Sequence, residues 1–239
     1  YVKTYQEAKE HSWNLSGATW AAGQPTVSYQ SHIMSPAFIY NLINEGVDLG
    51  SSYQKAIQLV CNIGISSWQK TPYDPLDDTT WPSESAWAEA PFYRGNSSYG
   101  YQYLYVNSSQ GIESLKNWLA SGNLAVIAVD ADQYQNLTTA DVWTSDKYET
   151  EELNHANTIV GYDDTVSYIE NGEVQTGAFK IANSWGVGGW ENVVDGFYWI
   201  SYEAMKKLSE VPYSNPCIIF QDLTGYETKI VTTIKIKHA

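Results

Sequence analysis

Two long extended stretches joined by a turn signal constrain this chain most. Residues 155–164 read HANTIVGYDD and residues 174–183 read VQTGAFKIAN, and both contain the β-branched and aromatic residues that favour strands. They are joined through Glu170-Asn171-Gly172, and Asn-Gly is a strong hairpin turn signal because both positions tolerate a positive φ. The sequence therefore predicts a long antiparallel hairpin, in which the start of one strand lies beside the end of the other.

Further strands are predicted in the same half of the chain, and helices before them. The run LAVIAVD (124–130) is typical of a strand buried on both faces. GFYWIS (196–201) and IVTTIKIK (230–237) are also predicted strands. Upstream, apolar spacing or helix start and stop signals predict four helical segments. These segments are TYQEAKE, AFIYNLIN after Ser35-Pro36, YQKAIQLVCNI after Ser51-Ser52, and residues 112–120 before Gly122.

The change of pattern near residues 121–123 predicts an α+β fold with two lobes. Residues 1–122 would form a helical lobe, residues 123–221 a β-rich lobe, and residues 222–239 an extension carrying the last strand. Residues 65–110 are irregular and rich in Pro, Ser, Asn, Asp and Tyr, which is typical of a functional or surface-wrapping loop. A cleft between the lobes is the default place for a site.

Composition excludes several classes of protein. The 239 residues carry 13 Lys+Arg against 27 Asp+Glu, a formal charge of −14, so neither nucleic acid nor an anionic membrane is expected as a partner. No run of 18 apolar residues is present. The two cysteines are too few for a disulfide scaffold and lack zinc-site spacing. We expect no metal and no organic cofactor.

One histidine and one asparagine occupy the facing ends of the predicted hairpin. His155 begins the first strand, and Asn183 ends the second, followed by Ser184-Trp185-Gly186. An imidazole can take a proton from a thiol, and the resulting thiolate is a nucleophile at neutral pH. An amide oxygen can accept the other ring N–H and fix the tautomer, while a neighbouring Trp covers that bond from water.

The stretch HANTIVGYDD…GAFKIANSWGVGGWEN…GFYWISYE closely resembles the C-terminal half of papain-like cysteine peptidases. SPAFIYNLI and GSSYQKAIQLVCNIGI are similar to helices of the family's left lobe, and the resemblance extends from about Tyr1 to Gln221. It implies a helical left lobe, a β-barrel-like right lobe and a peptidase cleft between them. It also implies that His155 is the general base, Asn183 its orienter and Trp185 the shield of their hydrogen bond.

The same resemblance implies that the nucleophile lies outside this chain. The family's Cys begins the long left-lobe helix, after an oxyanion-hole Gln, and Tyr1 corresponds to the middle of that helix. Cys61 falls in a helix, where a buried Cys acts as a small apolar side chain. Cys217 follows Asn-Pro in a predicted loop, and a bridge between Cys61 and Cys217 is disfavoured. A chain that begins inside a helix predicts a processed or trimmed protein.

Three interpretations therefore remain open. The chain is the major part of an active endopeptidase whose N-terminal segment, carrying Cys, is cleaved but still bound or is not included. Alternatively it is an inactive relative that uses the cleft to bind peptides or glycans, or an unrelated two-lobed binding protein. The first predicts a polypeptide substrate, possible association with its own cleaved segment, and secretion, which suits an acidic and aromatic-rich peptidase.

The resemblance also implies a substrate site. Gly50 and Ser51 would pair with an extended substrate backbone. Ser52, Tyr53, Leu153 and Ala156 would line the pocket for the second residue before the scissile bond, favouring an apolar or aromatic side chain. Asn154, directly before His155, would tune the ion pair.

Overall fold

The computed structural model divides into two compact units, a helical one and a β-rich one, and each is described separately. The first unit comprises Lys3–Tyr101 with Tyr1 and the described residues from Phe220 onward; the second comprises Gln102–Ile219 with Val2. The residues that the structure describes are 1–98, 100–138, 141–147, 152–187, 193–210, 214–230, 232 and 234, without the side chains of Gln135 and Asn136.

The first unit contains short helices around a small apolar core. Its elements are α1 (Val2–Glu10), β1 (Trp20–Ala21), β2 (Gln24–Pro25), α2 (Pro36–Ile43), α3 (Tyr53–Asn62) and α4 (Glu84–Glu89), with 3₁₀ turns at Val27–Tyr29 and Ala90–Tyr93. Phe38, Cys61 and Ala86 are among its buried residues. The three helices predicted here are confirmed, whereas α4 lies within the stretch that the sequence left irregular.

Hydroxyl caps explain why these helices begin where they do. The Oγ atoms of Ser35, Ser52 and Ser83 each accept a hydrogen bond from the backbone N–H three residues later, which satisfies a donor that the first turn leaves unpaired. After α3 the chain turns at Gly64, whose φ is +108°. A Cβ there would lie 1.8 Å from the carbonyl oxygen of Ala90, so only glycine fits.

The second unit is built on one mixed sheet. Its elements are β3 (Tyr101–Leu104), α5 (Ser109–Ala120), β4 (Ala125–Val129), β5 (Val142–Trp143), β6 (His155–Glu170), β7 (Glu173–Ala182), β8 (Phe197–Ser201), α6 (Tyr202–Glu210) and β9 (Cys217–Phe220), with a 3₁₀ helix at Ala131–Asn136. The strand order is β3-β9-β4-β6-β7-β8-β5. Over the described residues this sheet is open, so the β-barrel-like lobe expected from the resemblance is corrected to an open seven-stranded sheet.

The predicted hairpin is confirmed as the centre of that sheet. β6 and β7 pair antiparallel from Glu170↔Glu173 to Thr158↔Ala182. The turn residues Asn171 and Gly172 have φ values of 53° and 81°, which is the geometry that an Asn-Gly hairpin turn requires. The start of β6 and the end of β7 therefore lie together at one end of the hairpin.

The division between the units falls earlier than the change of sequence pattern suggested. The second unit begins at Gln102 rather than after residue 122. The reason is the packing of α5, whose Ile112, Leu115 and Leu119 belong to the same buried cluster as Phe179 on β7. A helix is assigned to a unit by the core that its apolar face joins, which a change of local pattern does not reveal.

Two smaller expectations near the C-terminus are revised. Cys217 begins β9 instead of lying in a loop, and α6 had not been predicted. Among residues 222–239, Asp222 forms an isolated β-bridge with Gly95. In the predicted strand 230–237, residues 230, 232 and 234 are not extended into a strand, and the other five lie outside the described residues.

Candidate active site

The hairpin brings His155 and Asn183 to the same end of the sheet. His155 is the first residue of β6, and Asn183 directly follows β7. Because Thr158 pairs with Ala182, the next position in the register sets Asn157 opposite Asn183. Side chains alternate along a strand, so His155 and Asn157 share one face of β6. All three side chains therefore converge on one point.

Hydrogen bonds fix the roles of the atoms in the His155–Asn183 pair. His155 Nε2 lies 2.7 Å from Asn183 Oδ1. The backbone N–H of Ser184 donates to the same oxygen at 2.7 Å, which identifies that atom as an acceptor. The ring must then donate from Nε2, so its neutral form carries the proton there and keeps an unprotonated Nδ1. This is the tautomer that a general base with a free Nδ1 needs.

Trp185 packs on the histidine ring. The ring centroids of His155 and Trp185 are 4.8 Å apart with an interplanar angle of 43°. Tyr134 meets the same indole edge-to-face, with centroids 5.4 Å apart. Asn183 is 3% exposed, whereas Trp185 is 48% exposed. The indole thus forms one wall beside the hydrogen-bonded pair, and its role as a shield stays a prediction.

Sequence reasoning missed a buried polar layer directly beneath the pair. Asn157 Nδ2 donates to Asn183 Oδ1 at 3.3 Å and to the carbonyl oxygen of Ala156 at 3.0 Å. Its Oδ1 accepts from the hydroxyls of Tyr198, at 2.7 Å, and Tyr134. Asn157, Tyr134 and Tyr198 are all at most 3% exposed. The available signal was a carboxamide two positions after His155, on the strand face that His155 shares.

The three residues around His155 assigned to substrate contacts differ in their surroundings. Leu153 is partly buried and packs against the core of the second unit. Ala156 is exposed. Asn154 is also exposed, and its side chain accepts from the N–H of Ala131 at 2.8 Å and donates to Asp130 at 3.2 Å. Asn154 thus ties the start of β6 to the 3₁₀ helix, and its predicted effect on the ion pair stays a prediction.

The predicted backbone-binding residues form an exposed turn in the first unit. Gly50 has a φ of +84° and is exposed, as is Ser51. The N–H of Gly50 donates to the hydroxyl of Tyr40 at 3.3 Å, and that hydroxyl donates to Asp48. The Asp48 hydrogen bond raises the pKa of Tyr40. The neighbouring backbone is therefore held by side chains that the sequence did not single out.

Ser52 and Tyr53 follow that turn at the start of α3. Ser52 Oγ accepts from the N–H of Lys55 at 3.4 Å, and Tyr53 is the first residue of the helix. Both are partly buried. Ser52 therefore acts as a helix cap in this structure, and the substrate contacts assigned to both residues stay predictions.

Neither cysteine has the surroundings of an activated nucleophile. Cys61 is 2% exposed and Cys217 is 0% exposed, and both are free thiols. Burial raises the pKa of the Cys61 thiol, and it raises the pKa of Cys217 to about 12. A reactive cysteine needs the opposite, a lowered pKa and access to solvent. The core position predicted for Cys61 is confirmed, and Cys217, predicted in a loop, is also buried.

Within the described part of the chain, one group of side chains has metal-ligand spacing. The ligand atoms of Glu7, Glu10 and His11 lie within 4.8 Å of one another on α1. Glu7 already pairs with Lys3, and Glu10 accepts from the N–H of Gly225 at 2.7 Å. Each of the two carboxylates therefore already has at least one partner within the protein.

Comparison with known proteins identifies the class to which this site belongs. The model of the papain family of cysteine proteases matches residues 28–215, more than half of the chain. The chain therefore belongs to the papain family of cysteine proteases. The matched span contains His155, Asn183 and Trp185, so the site lies within the family's own sequence pattern.

Solved structures support the same fold. The chain is similar to xylellain, a cysteine protease from Xylella fastidiosa, at 22% identity and a TM-score of 0.56, covering 79% of this chain and 69% of xylellain. A cysteine protease from Carica candamarcensis matches at 21% identity and a TM-score of 0.51, with 79% and 77% covered. Digestive procathepsin L2 from the larval midgut of Tenebrio molitor matches at 25% identity and a TM-score of 0.50, with 72% and 47% covered.

These matches establish a papain-like α+β fold. The chain spans about half the length of the Tenebrio molitor proenzymes that it matches. No curated protein sequence matches it. Among the helices that the structure describes, none has the length and apolar character needed to cross a membrane.

Proposed function

We propose that this protein is a cysteine endopeptidase in which His155 is the general base and Asn183 its orienter. The observation that carries the proposal is the 2.7 Å contact between His155 Nε2 and Asn183 Oδ1, with the oxygen anchored by the N–H of Ser184. It leaves Nδ1 of the ring to act on a nucleophile. The thiol would come from a segment upstream of Tyr1, because Cys61 and Cys217 are both buried.

The reaction follows from this tautomer. Nδ1 takes the thiol proton, and the thiolate forms a bond to the carbonyl carbon of the scissile peptide. When the C–N bond breaks, the same proton passes from Nδ1 to the leaving amine. Water then attacks the acyl-enzyme, giving its proton to Nδ1 and releasing the acid and the thiol. Throughout, the proton stays on Nε2 of His155, hydrogen-bonded to Asn183. An upstream glutamine would stabilise the oxyanion.

The substrate is a polypeptide bound as an extended strand. Gly50 and Ser51 would pair with its backbone, and Ser52, Tyr53, Leu153 and Ala156 would contact the second side chain before the scissile bond. The exposure of the Gly50 turn and of Ala156 supports this assignment, since a docking backbone needs accessible partners. We infer a preference for apolar or aromatic side chains there, testable with a peptide library that varies this position.

The decisive experiment uses the full natural protein with any segment upstream of Tyr1. Below pH 7, iodoacetamide should add one label rapidly to a thiol outside this chain, detected by intact mass. Peptide hydrolysis should fall by about 10³-fold in His155→Ala, within the range for loss of a general base. The matched control is His238→Ala, a histidine far along the sequence from the site. Two unreactive thiols and no hydrolysis would overturn the proposal.

A second function, peptide or glycan binding without catalysis, is supported by the two buried thiols. Neither is available for chemistry, so a chain with no upstream cysteine would keep only its binding surfaces. The residue at the nucleophile position separates the two functions. Cys after an upstream Gln favours the peptidase, whereas Ser or Gly there favours the binder.

We also infer an extracellular location, in which the cleaved upstream segment remains bound as a partner. The acidic charge of −14 and the abundance of aromatic residues support this inference. It is tested by assaying the culture medium and washed cells of the source organism for the protein with an antibody. Recovery from the cell interior alone would contradict it.

A further inference from the structure

Asn157 is a buried carboxamide on β6, directly beside the His155–Asn183 pair. It is 3% exposed and lies on the same face of β6 as His155. Burying a carboxamide is unfavourable unless its donors and acceptors are paired. Both donors of Asn157 and its carbonyl oxygen are paired, through contacts with Ala156, Asn183 and two tyrosine hydroxyls. A group so fully paired is held in one orientation.

The partners determine which way the carboxamide faces. The carbonyl oxygen of Ala156 can only accept, so the atom of Asn157 that contacts it is the nitrogen. The other end is the oxygen, and it receives the hydroxyls of Tyr134 and Tyr198. These hydroxyls come from the 3₁₀ helix and from β8, so two separate elements hold the same oxygen.

The hydrogen bonds therefore run in one direction. The hydroxyls donate to Asn157, and Asn157 donates to Asn183 Oδ1 at 3.3 Å. That oxygen also receives Nε2 of His155 at 2.7 Å. If Asn183 turned its NH₂ group toward Asn157, two donors would face each other in a buried site, which is unfavourable.

We propose that Asn157, held by Tyr134 and Tyr198, is a positioning residue for the active site. It keeps the oxygen of Asn183 directed at His155 and so fixes the ring as the Nε2–H tautomer. The catalytic purpose of this arrangement rests on the proposed peptidase function, because Nδ1 must be unprotonated to accept a proton from a thiol. The tautomer itself is a property of the folded chain and can be measured without any substrate.

The test is nitrogen-15 NMR of histidine-labelled full-length protein, which distinguishes the two tautomers of the neutral ring. The signal of His155 is the one that disappears in His155→Ala. Asn157→Asp replaces the donor nitrogen by an acceptor and keeps the acceptor for the hydroxyls. Asn183 then gains by turning its NH₂ group toward the new carboxylate. The same NH₂ group would face Nε2 of His155, which could then only accept, so the Nδ1–H tautomer is favoured. The ratio of Nε2–H to Nδ1–H tautomers should fall about fivefold or more, the equivalent of one net hydrogen bond.

Two further variants keep the test decisive. Asn157→Leu removes the donor without adding charge and should also lower the ratio, which covers the case in which Asn157→Asp does not fold. Thr158→Val is the matched control, because Thr158 is the next residue, equally buried, and points to the opposite face of β6. It should leave the ratio unchanged. An unchanged ratio in folded Asn157→Leu and Asn157→Asp would overturn the inference.

Peptide hydrolysis by the same samples separates this inference from the proposed function. In an active enzyme, Asn157→Leu should lower kcat more than it raises KM, because the ring and not the substrate site is disturbed. A shifted tautomer in a protein without peptidase activity would refute the proposed function and leave the positioning role intact. Activity with an unshifted tautomer in the variants would refute the positioning role alone.

Discussion

The two units pair their buried polar groups in different ways, one with charges and the other with uncharged hydrogen bonds. The first holds a charged cluster, in which Lys3 pairs with Glu7 and Asp222 and donates to the carbonyl oxygen of Arg94 at 3.0 Å. The second holds the amide network, which we define as His155, Asn183 and Asn157 with the hydroxyls of Tyr134 and Tyr198. In the first, one ammonium serves two carboxylates; in the second, uncharged groups donate in sequence to one another.

The difference shows what each arrangement is suited to do. A charge pair attracts from many directions and costs a large desolvation energy, so it joins segments distant in sequence, here α1 and the C-terminal segment, without dictating which atom faces which. Amides and hydroxyls have distinct donor and acceptor ends, and they can therefore specify an orientation. The charged cluster is consistent with a structural tie, and the amide network with control of a histidine ring.

The largest effect should come from removing the shared cation. Lys3→Met keeps the side-chain length but removes the ammonium from the buried carboxylate of Glu7 and the partly buried carboxylate of Asp222. We expect a loss of about 3–5 kcal/mol in the free energy of unfolding, as for other broken buried pairs. Urea unfolding followed by tryptophan fluorescence measures it. Lys9→Met, at the end of the same helix, is the control. A loss below about 1 kcal/mol would show that the cluster is not a stabilising tie.

A smaller effect is expected from breaking the amide network. The double variant Tyr134→Phe with Tyr198→Phe leaves the buried oxygen of Asn157 without its two donors. The loss in unfolding free energy should be about 1–3 kcal/mol, the usual cost of an unpaired buried group. Adding Asn157→Leu should recover part of that loss, because the unpaired oxygen is then removed. Further destabilisation by the third change would contradict this explanation.

The helix caps of the two units offer a matched pair with smaller effects. Ser35 caps α2, is fully buried and also donates to the carbonyl oxygen of Thr71, whereas Ser108 caps α5 on the surface. Ser35→Ala should cost about 2 kcal/mol and Ser108→Ala about 1 kcal/mol. Denaturant midpoints at constant m-value compare them. Equal costs would mean that the buried bond to Thr71 adds nothing.

The smallest expected effect is a pH dependence of stability. Buried carboxylates should cause it, whereas the uncharged amide network should not. Desolvation raises the pKa of Glu7 above 4.5, with Lys3 opposing it, and desolvation also raises the pKa of Asp222 above 3.8. The folded protein thus binds these protons more tightly than the unfolded chain. The energetic cost of the charged form is complete above the folded pKa and is relieved as pH falls through it toward the ordinary value.

Thermal unfolding at a series of pH values checks this sign. The contribution of these two groups should raise Tm slightly as the solution becomes mildly acidic, before other carboxylates are protonated. Glu7→Gln removes one of the two titrating groups and should show a smaller rise than the natural protein. Asp163→Asn, a surface carboxylate whose pKa is lowered by its bond to Thr165, should not reduce the rise. Identical profiles for the Glu7→Gln variant and the natural protein would contradict the assignment.

The contact between His155 and Asn183 could be predicted from sequence, whereas the residues that support it could not. His155 begins and Asn183 follows the two strands of one hairpin, so both lie at its open end, and the turn at Asn171-Gly172 fixes their register locally. The position of Tyr134 depends on the 3₁₀ helix at Ala131–Asn136, which no strong sequence signal predicted. Asn157 was visible as a carboxamide on the strand face that His155 shares, but its partners were not.

Local signals determined the secondary structure that the sequence predicted correctly. Serine caps, the Asn-Gly turn and the apolar runs act over a few residues, so they fix a helix start or a hairpin wherever the segment lies. The change of pattern near residues 121–123 predicted the two-lobed α+β fold, and the family resemblance implied the same fold. The tertiary structure decided the rest: that the sheet stays open, that α5 joins the β-rich unit, and that Lys3 meets Asp222. Those outcomes depend on contacts between residues far apart in sequence, whose free energy exists only once the whole core has formed.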